Sequence, residues 1–353
     1  MSTPPEGVDL EALRPYFAAN VRDATDAPLS AGLIAGGRSN LTYAVSQDHD
    51  GATRTWVLRR PPLGHVLPTA HDMEREARVL SALAGSPVPV PEVFAVCTDA
   101  SVPGAPFYVM EKIEGRVLRT AEEAATLDAR DARACSEALV DVLVAIHSVD
   151  PAAVGLGDFG HPEGFVARQV RRWSQQWERS KTRELPAIDE LARRLAAAVP
   201  VSGPPALVHG DYRLDNTILA TDDPGRIAGV LDWEMATLGD PLTDLGLFLL
   251  YWDQADATIA GSTEAVGTLP GFLPRGEIVA RYARGSGRRV DDLDYYEVLA
   301  RFKLAIILEG IHARFQMGKT LGEGFDHMGG MVAVLSDTAL ELANGSAIPA
   351  LRG

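Results

Sequence analysis

The chain has 353 residues, of which 46% are hydrophobic and 23% are charged, so it has the composition of a globular protein with one large or two smaller domains. Its net charge of −15 argues against non-specific binding to nucleic acid or to an anionic membrane. No apolar run approaches the roughly 20 residues of a membrane-spanning helix. The start, MSTPPEGVDLEALRPYF, lacks the features of a signal peptide, and Cys97 and Cys135 lack metal-ligand spacing. We therefore expect a protein of the reducing cytoplasm.

The first hundred or so residues are predicted to form strands with one inserted helix. A short amphipathic helix lies within residues 1–25, and LSAGLIAGGRSNLTYAVSQD and ATRTWVLRRPP then predict two or three strands. Residues 70–84 have helical periodicity, with Met73, Ala77, Leu80 and Ala84 on one stripe. The segments PVPVPEVFAVC and PFYVMEKIEG predict two further strands.

From about residue 120 the pattern becomes that of long helices. The clearest lie at 121–148, 164–180, 186–198, 276–284 and 291–317. Short apolar runs and Asp, Asn and Gly turns interrupt them between 207 and 233. The tail after about residue 343 is small, and we expect it to be loosely ordered.

The segment LVHGDYRLDNTILATDDPGRIAGVLDWEMATLGDPLTDLG, residues 207–246, carries the strongest chemical signal. Asp211 follows the apolar run LV, Asp232 ends the run IAGVL, and Asn216 lies five residues after Asp211. We expect the two runs to pair as a β-hairpin. Phosphoryl transfer needs a carboxylate to accept a hydroxyl proton and hard oxygen ligands for magnesium, and these three side chains supply both.

HGDYRLDN followed by LDWE resembles the catalytic loop and the metal-binding motif of the aminoglycoside phosphotransferase and choline kinase group. That group is a small-molecule branch of the protein-kinase-like fold. The resemblance implies that Asp211 is the catalytic base, that Asn216 and Asp232 bind Mg²⁺, and that His209 braces the loop. It also implies an α+β two-lobe fold, with an antiparallel sheet and one helix in the N-terminal lobe and a mainly helical C-terminal lobe.

The same resemblance assigns a nucleotide-binding lobe to residues 1–112 and a catalytic and substrate lobe to residues 113–353. In GLIAGGRSNLTY, the pair Gly36 and Gly37 lies between two strand-like runs, where a backbone can approach phosphates closely. Taken alone, such a pair is more often a simple hairpin turn. Ser39 and Asn40 would add phosphate contacts.

In TWVLRRPP, the position that is usually lysine in the family falls on Arg59, with Arg60 beside it. Either arginine could take the phosphate-binding role, although its forked guanidinium differs in geometry from an ammonium. The helix at 70–84 should offer a glutamate to orient this cation. Glu76 lies on the apolar face, whereas Glu74 faces solvent, so we choose Glu76.

The strand PFYVMEKIEG resembles the hinge between the lobes of a kinase. The resemblance implies that backbone groups of Glu111 and Ile113 bind adenine, with Met110 at the back wall of the pocket. Two longer segments, AIHSVDPAAVGLGDFGHPEGFVARQVRRWSQQWE and KLAIILEGIHARFQMGKT, extend the likeness to one subgroup. It comprises bacterial proteins related to the kinase domains fused to some eukaryotic acyl-CoA dehydrogenases.

Several further side chains are given supporting roles. Asp215 is expected to cap or brace the loop, and Asp240 or Thr243 to cap the helix 243–251. Asp244, in the first turn of that helix, is expected to orient the catalytic loop. His147 is interpreted as a hydrogen-bonded core residue.

These patterns predict an ATP-dependent phosphotransferase that acts, with magnesium, on a hydroxyl group of a small molecule. The short stretch between Asp232 and the GDP turn leaves no long segment on which a protein substrate could dock. The subgroup suggests a hydroxyacyl-CoA-like acceptor, and the broader family suggests an aminoglycoside. The alternative is a nucleotide-binding protein without phosphotransfer activity. It is motivated by Arg59, which stands where the family usually has lysine.

Overall fold

The computed structural model describes residues 5–34, 40–49, 51–63, 72–99, 101–102, 104–253, 266–318 and 328–353. The chain forms two compact units. Unit 1 comprises Met1–Gly115 and Ala228–Ala236, and unit 2 comprises Arg116–Ile227 and Thr237–Gly353. The functional division into 1–112 and 113–353 stays a prediction about which part does what.

Unit 1 contains a five-stranded antiparallel sheet with the strand order β1-β2-β3-β5-β4. The strands are β1 (Leu29–Leu33), β2 (Leu41–His49), β3 (Ala52–Arg60), β4 (Val93–Cys97) and β5 (Phe107–Glu111). In the β2–β3 pair, Tyr43 lies opposite Leu58 and Val45 lies opposite Trp56, so large apolar residues share one face. The predicted N-terminal antiparallel sheet is confirmed.

Two helices belong to unit 1. Helix α1 (Leu10–Asn20) is capped by Asp9, whose carboxylate accepts two backbone N–H groups of the first turn. Its buried Phe17 packs on Trp56 of the sheet, with ring centroids 5.8 Å apart. Helix α2 (Met73–Leu83) buries Glu76 and leaves Glu74 exposed, as the periodicity predicted.

Unit 2 is mainly helical, as predicted. Its helices are α3 (Ala121–Ala124), α4 (Ala129–Ser148), α5 (Phe165–Ser180), α6 (Pro186–Ala197), α7 (Leu242–Asp253), α8 (Arg275–Ser286), α9 (Leu293–Gln316), α10 (Met328–Gly345) and α11 (Pro349–Arg352). Within the described ranges, no helix combines the length and the hydropathy that crossing a membrane requires.

Two predictions about helices in unit 2 were wrong. The predicted helix 121–148 is divided, because Asp128 accepts the N–H of Asp131 and starts a new helix there. The tail is also better ordered than expected. Its last helix, α11, buries the side chain of Leu351 completely, so the end of the chain is held by packing.

Four short strands lie between residues 206 and 239. They are β6 (Ala206–Val208), β7 (Thr217–Leu219), β8 (Ile227–Val230) and β9 (Thr237–Gly239). The expected hairpin between the LV and IAGVL runs was wrong, because β6 pairs with β9 in antiparallel register. Gly239 allows this arrangement, since a Cβ there would lie only 2.8 Å from the ring of Phe165.

Helices α7 and α9 approach each other closely in unit 2. A Cβ on Gly246 of α7 would lie 2.7 Å from the carbonyl oxygen of Tyr296 on α9. Glycine therefore sets the spacing of the two helices. Their side chains reach the loop that follows β6.

Candidate active site

The loop that follows β6 presents Asp211 in unit 2. Gly210 has φ of +86°, a conformation that favours glycine, and it turns the chain sharply between His209 and Asp211. A short 3-10 turn, Leu214–Asn216, then brings Asn216 back toward Asp211. The Nδ2 of Asn216 donates to the Asp211 carbonyl at 2.8 Å and to its carboxylate at 3.0 Å. The structure thus brings the predicted base and one predicted metal ligand together.

Asp244 of α7 binds backbone N–H groups at the start of this loop. One carboxylate oxygen accepts the N–H of His209 at 2.7 Å, and the other accepts the N–H of Gly210 at 2.8 Å. The side chain of Asp244 is 1% exposed, so these charged hydrogen bonds are shielded from water. The expectation that Asp244 orients the loop is confirmed.

His147 supports Asp244 from α4. Its Nε2 lies 3.2 Å from an Asp244 carboxylate oxygen, and its Nδ1 lies 2.8 Å from the hydroxyl of Tyr282. Burial lowers the pKa of His147, so the neutral ring donates from Nε2 and accepts at Nδ1. Burial alone would raise the pKa of Asp244, but hydrogen bonds from His147 and Gly210 hold it below its ordinary value. The expected core role of His147 is confirmed.

His209 and Asp215 complete the loop. His209 is fully buried, and its Nδ1 accepts the N–H of Asp211 at 3.2 Å. Its role of bracing the loop for catalysis stays a prediction. Asp215 pairs with Arg213 at 2.9 Å, and burial raises the pKa of Asp215 to about 6. The Arg213 guanidinium also lies 4.8 Å from the ring centroid of Tyr251.

Lys303 is a feature of the loop that the sequence reasoning missed. It lies in the middle of α9, and its Nζ donates to the Gly210 carbonyl at 3.2 Å. Burial lowers the pKa of Lys303, while the nearby Asp211 and Asp244 oppose that shift. The signal that could have found it is a lysine followed directly by the apolar run LAIIL within a predicted helix.

A second group of predicted residues meets in unit 1. The Arg59 guanidinium donates from Nε to Glu76 at 3.0 Å, forms an ion pair with Asp232, and contacts the Thr42 hydroxyl at 3.3 Å. Arg60 instead donates to backbone carbonyls, including that of Gly7. Arg59 is thus the arginine that contacts the predicted glutamate.

The carboxylate of Glu76 is almost fully buried. Its side chain is 2% exposed, and burial raises its pKa, while the Arg59 guanidinium opposes the shift. For Arg59, burial acts to lower the pKa, but Glu76 and other anionic groups raise it above its ordinary value. The hydroxyl of Tyr108 donates a hydrogen bond to Glu76, and burial raises the pKa of that hydroxyl well above its ordinary value. The Arg59–Glu76 ion pair therefore lies in a buried environment of low dielectric constant.

Asp232 has an unusual backbone conformation. Its φ of +65° lies in the left-handed region, which only a few per cent of non-glycine residues adopt. The following turn, Trp233–Met235, is fixed by burial of Trp233, whose Nε1 donates to the Val230 carbonyl at 3.0 Å. Aspartate is among the residues that adopt this region most readily, and the buried turn at Trp233 holds it there.

The remaining phosphate contacts are described only in part. Gly36, Gly37 and Ser39 lie outside the described residues. Asn40 is buried, and its Nδ2 donates to Glu234 of the LDWE motif at 3.0 Å. Its predicted contact with phosphate stays a prediction.

The predicted hinge lies at the end of β5. Met110 is buried there, and Ile113 follows the strand with a half-buried side chain. The N–H of Glu111 already donates to the Glu92 carbonyl at 2.8 Å. A contact from Glu111 to a nucleotide would therefore have to use its carbonyl oxygen.

The sheet with its inserted helix, the mainly helical unit 2 and the Asp–Asn loop together define a protein-kinase-like phosphotransferase. The profile of the family described as "APH: Phosphotransferase enzyme family" matches residues 30–294, and the chain belongs to that family. This confirms the predicted class of enzyme, a phosphotransferase.

The chain is also similar to part of a longer protein. Acyl-CoA dehydrogenase family member 11 of Gallus gallus is 33% identical over 324 residues, which are 89% of this chain and 40% of that protein. The chain therefore spans well under half of the length of this relative.

Solved structures give the same answer. A Ralstonia eutropha protein, assigned provisionally as an aminoglycoside phosphotransferase, has a TM-score of 0.82 and 33% identity, with 95% of this chain and 98% of that chain covered. An aminoglycoside phosphotransferase in a ternary complex with streptomycin and ATP has a TM-score of 0.55 and 17% identity, with 88% and 91% covered. This last likeness concerns the fold alone.

Proposed function

We propose that the protein transfers the γ-phosphoryl group of ATP to a hydroxyl group of a small molecule, with Asp211 as the base. The observation that carries the proposal is the geometry of the loop. Asp211 is oriented by Asn216, and the backbone before it is anchored by the buried Asp244. A carboxylate held in this way is suited to position a hydroxyl and to accept its proton.

In the proposed reaction, the acceptor oxygen forms a bond to the γ-phosphorus as the bond from that phosphorus to the bridging oxygen of ADP breaks. The hydroxyl proton passes to the Asp211 carboxylate, and ADP leaves with the bonding electrons. Residues 113–353 would supply this base and the acceptor pocket. Residues 1–112 would supply the nucleotide contacts, including Gly36, Gly37, Ser39 and Asn40.

Asn216 and Asp232 each carry an oxygen atom of the kind that Mg²⁺ prefers. Asn216 uses its Nδ2 on Asp211, which leaves its amide oxygen for a cation, and Asp232 offers a carboxylate. The described residues contain no cluster of three or more His, Cys, Asp or Glu side chains able to hold a metal. Two protein oxygens together with substrate phosphates are a usual way of holding Mg²⁺. When bound, the ion would neutralise charge on the phosphates.

Arg59 would contact the nucleotide phosphates, with Glu76 orienting it. The hydrogen bond from Nε to Glu76 fixes the guanidinium plane, and the outer nitrogens contact Thr42 and Asp232 in the structure. Met110, Glu111 and Ile113 would hold the adenine. The ATP present in the structure of the streptomycin complex supports nucleotide use by this fold.

We favour a hydroxyacyl-CoA-like acceptor over an aminoglycoside. The relation to an acyl-CoA dehydrogenase family member supports this choice. We expect the enzyme to act in the cytoplasm.

The test is ADP formation by the whole chain with Mg²⁺ and ATP across a panel of hydroxyl compounds. The panel should contain short hydroxyacyl-CoA esters, the matching free hydroxy acids, and streptomycin. We expect ADP formation that depends on a hydroxyacyl-CoA ester. Tight binding of ATP without turnover on any acceptor would favour the alternative, a nucleotide-binding protein without transfer activity.

A further inference from the structure

Gly210 is contacted by charged side chains on both of its backbone polar groups. Its N–H donates to the Asp244 carboxylate at 2.8 Å, and its carbonyl accepts from the Lys303 ammonium at 3.2 Å. The first contact fixes the peptide that precedes Gly210, and the second fixes the peptide that leads to Asp211. Gly210 has φ of +86°, and glycine has wide conformational freedom. The two hydrogen bonds to its flanking peptides therefore define its conformation.

Lys303 is half-buried, and it lies in the middle of α9. Its Nζ lies 5.8 Å from the ring centroid of Trp173, and the charged groups that face it are Asp211, Asp244 and Arg172. Holding an ammonium here costs desolvation, whereas a methionine would fill a similar volume without that cost. The hydrogen bond from Lys303 to the Gly210 carbonyl offsets this desolvation cost.

The two side chains that contact Gly210 come from helices that pack closely against each other. Asp244 belongs to α7 and Lys303 belongs to α9, and the close contact of Gly246 with Tyr296 sets their spacing. A loop held between two packed helices is more precisely placed than a loop held from one side.

We propose that Lys303 is a positioning residue that, with Asp244, clamps Gly210 and thereby aims the Asp211 carboxylate. The clamp is a property of unit 2 in the free protein. Its effect on turnover rests on the proposed function.

Hydrogen exchange in the whole chain tests the clamp without any substrate. The variants are Lys303→Met, Lys303→Arg and, as a matched control, Lys181→Met, which removes a lysine that pairs with Glu178 on α5. In Lys303→Met we expect exchange of the amides in residues 207–216 to accelerate about 10-fold or more, with the rest of unit 2 unchanged. Lys303→Arg and Lys181→Met should match the wild type. Unchanged exchange in Lys303→Met, or a uniform rise across unit 2, would overturn the proposal.

Kinetics on the acceptor identified in the panel give the second test. Lys303→Met should lower kcat about 10- to 100-fold while KM for ATP and for the acceptor changes less than about 3-fold. Lys303→Arg should recover most of the rate. A rise in KM with an unchanged kcat would contradict a positioning role. If the wild type turns over no acceptor, the proposed function fails, and hydrogen exchange alone decides whether the clamp exists.

Discussion

Replacing Asp244 with asparagine should destabilise unit 2 and disorder the loop that carries Asp211. The carboxylate accepts two backbone N–H groups, from His209 and Gly210, and a ring N–H from His147. An asparagine of the same shape offers one acceptor oxygen and turns an NH₂ group toward the other donor. One buried N–H of the loop therefore loses its partner.

The size of the effect follows from these contacts. A hydrogen bond to a charged group contributes about 1.5–3 kcal/mol, and an unsatisfied buried donor adds a desolvation cost of similar size. We expect Asp244→Asn to lower the free energy of unfolding by about 2–4 kcal/mol. At about 2–4 °C per kcal/mol for a domain of this size, the Tm should fall by roughly 5–15 °C.

Differential scanning calorimetry at pH 7 measures this change. Asp337→Asn is the matched control, because Asp337 is exposed on α10 and its replacement removes the same charge. The control should melt within about 1 °C of the wild type, as expected for an exposed substitution. A Tm for Asp244→Asn equal to that of the control would refute the view that this carboxylate holds the loop.

Three other predictions concern the stability of the fold. Because burial lowers the pKa of His147 in the fold, the unfolded chain takes up its proton first, so the contribution of His147 to stability should fall as pH drops below about 6.5. Urea unfolding should show it as a difference in slope between the wild type and His147→Gln of up to about 1.4 kcal/mol per pH unit. Gly246→Ala forces a methyl against the Tyr296 carbonyl and should cost about 1–3 kcal/mol in the same assay. Glu76→Ala should cost about 3 kcal/mol, near the low end for a broken buried pair, because Arg59 keeps a second carboxylate partner. A Glu76→Ala protein of wild-type stability would show that this pair is not a buried constraint.

Local patterns were enough to predict most of the secondary structure. Alternation and turn residues predicted β2 and β3, and a stripe of apolar residues three and four apart predicted that Glu76 faces inward. The motif at 207–246 identified Asp211 and Asn216, which lie within hydrogen-bond distance of each other. These features depend on spacing along the chain, which the sequence displays directly.

Features that depend on contacts between distant segments were missed. Strand β9 has only three residues, and its pairing with β6 depends on Gly239 fitting against Phe165, which no local pattern reveals. The contact of Lys303 with the loop joins residues 93 positions apart in the sequence. The choice between Arg59 and Arg60 likewise required knowing which side chain faces Glu76.

The most direct test of the central claim compares the wild type with Asp211→Asn in two assays, binding of ATP with Mg²⁺ and formation of ADP on the acceptor from the panel. Asparagine keeps the shape of the side chain but cannot accept the hydroxyl proton as a base. We expect ATP binding within about 3-fold of the wild type and a kcat lowered by about 100-fold or more. Equal turnover by Asp211→Asn would contradict the assignment of Asp211 as the base of a phosphotransferase.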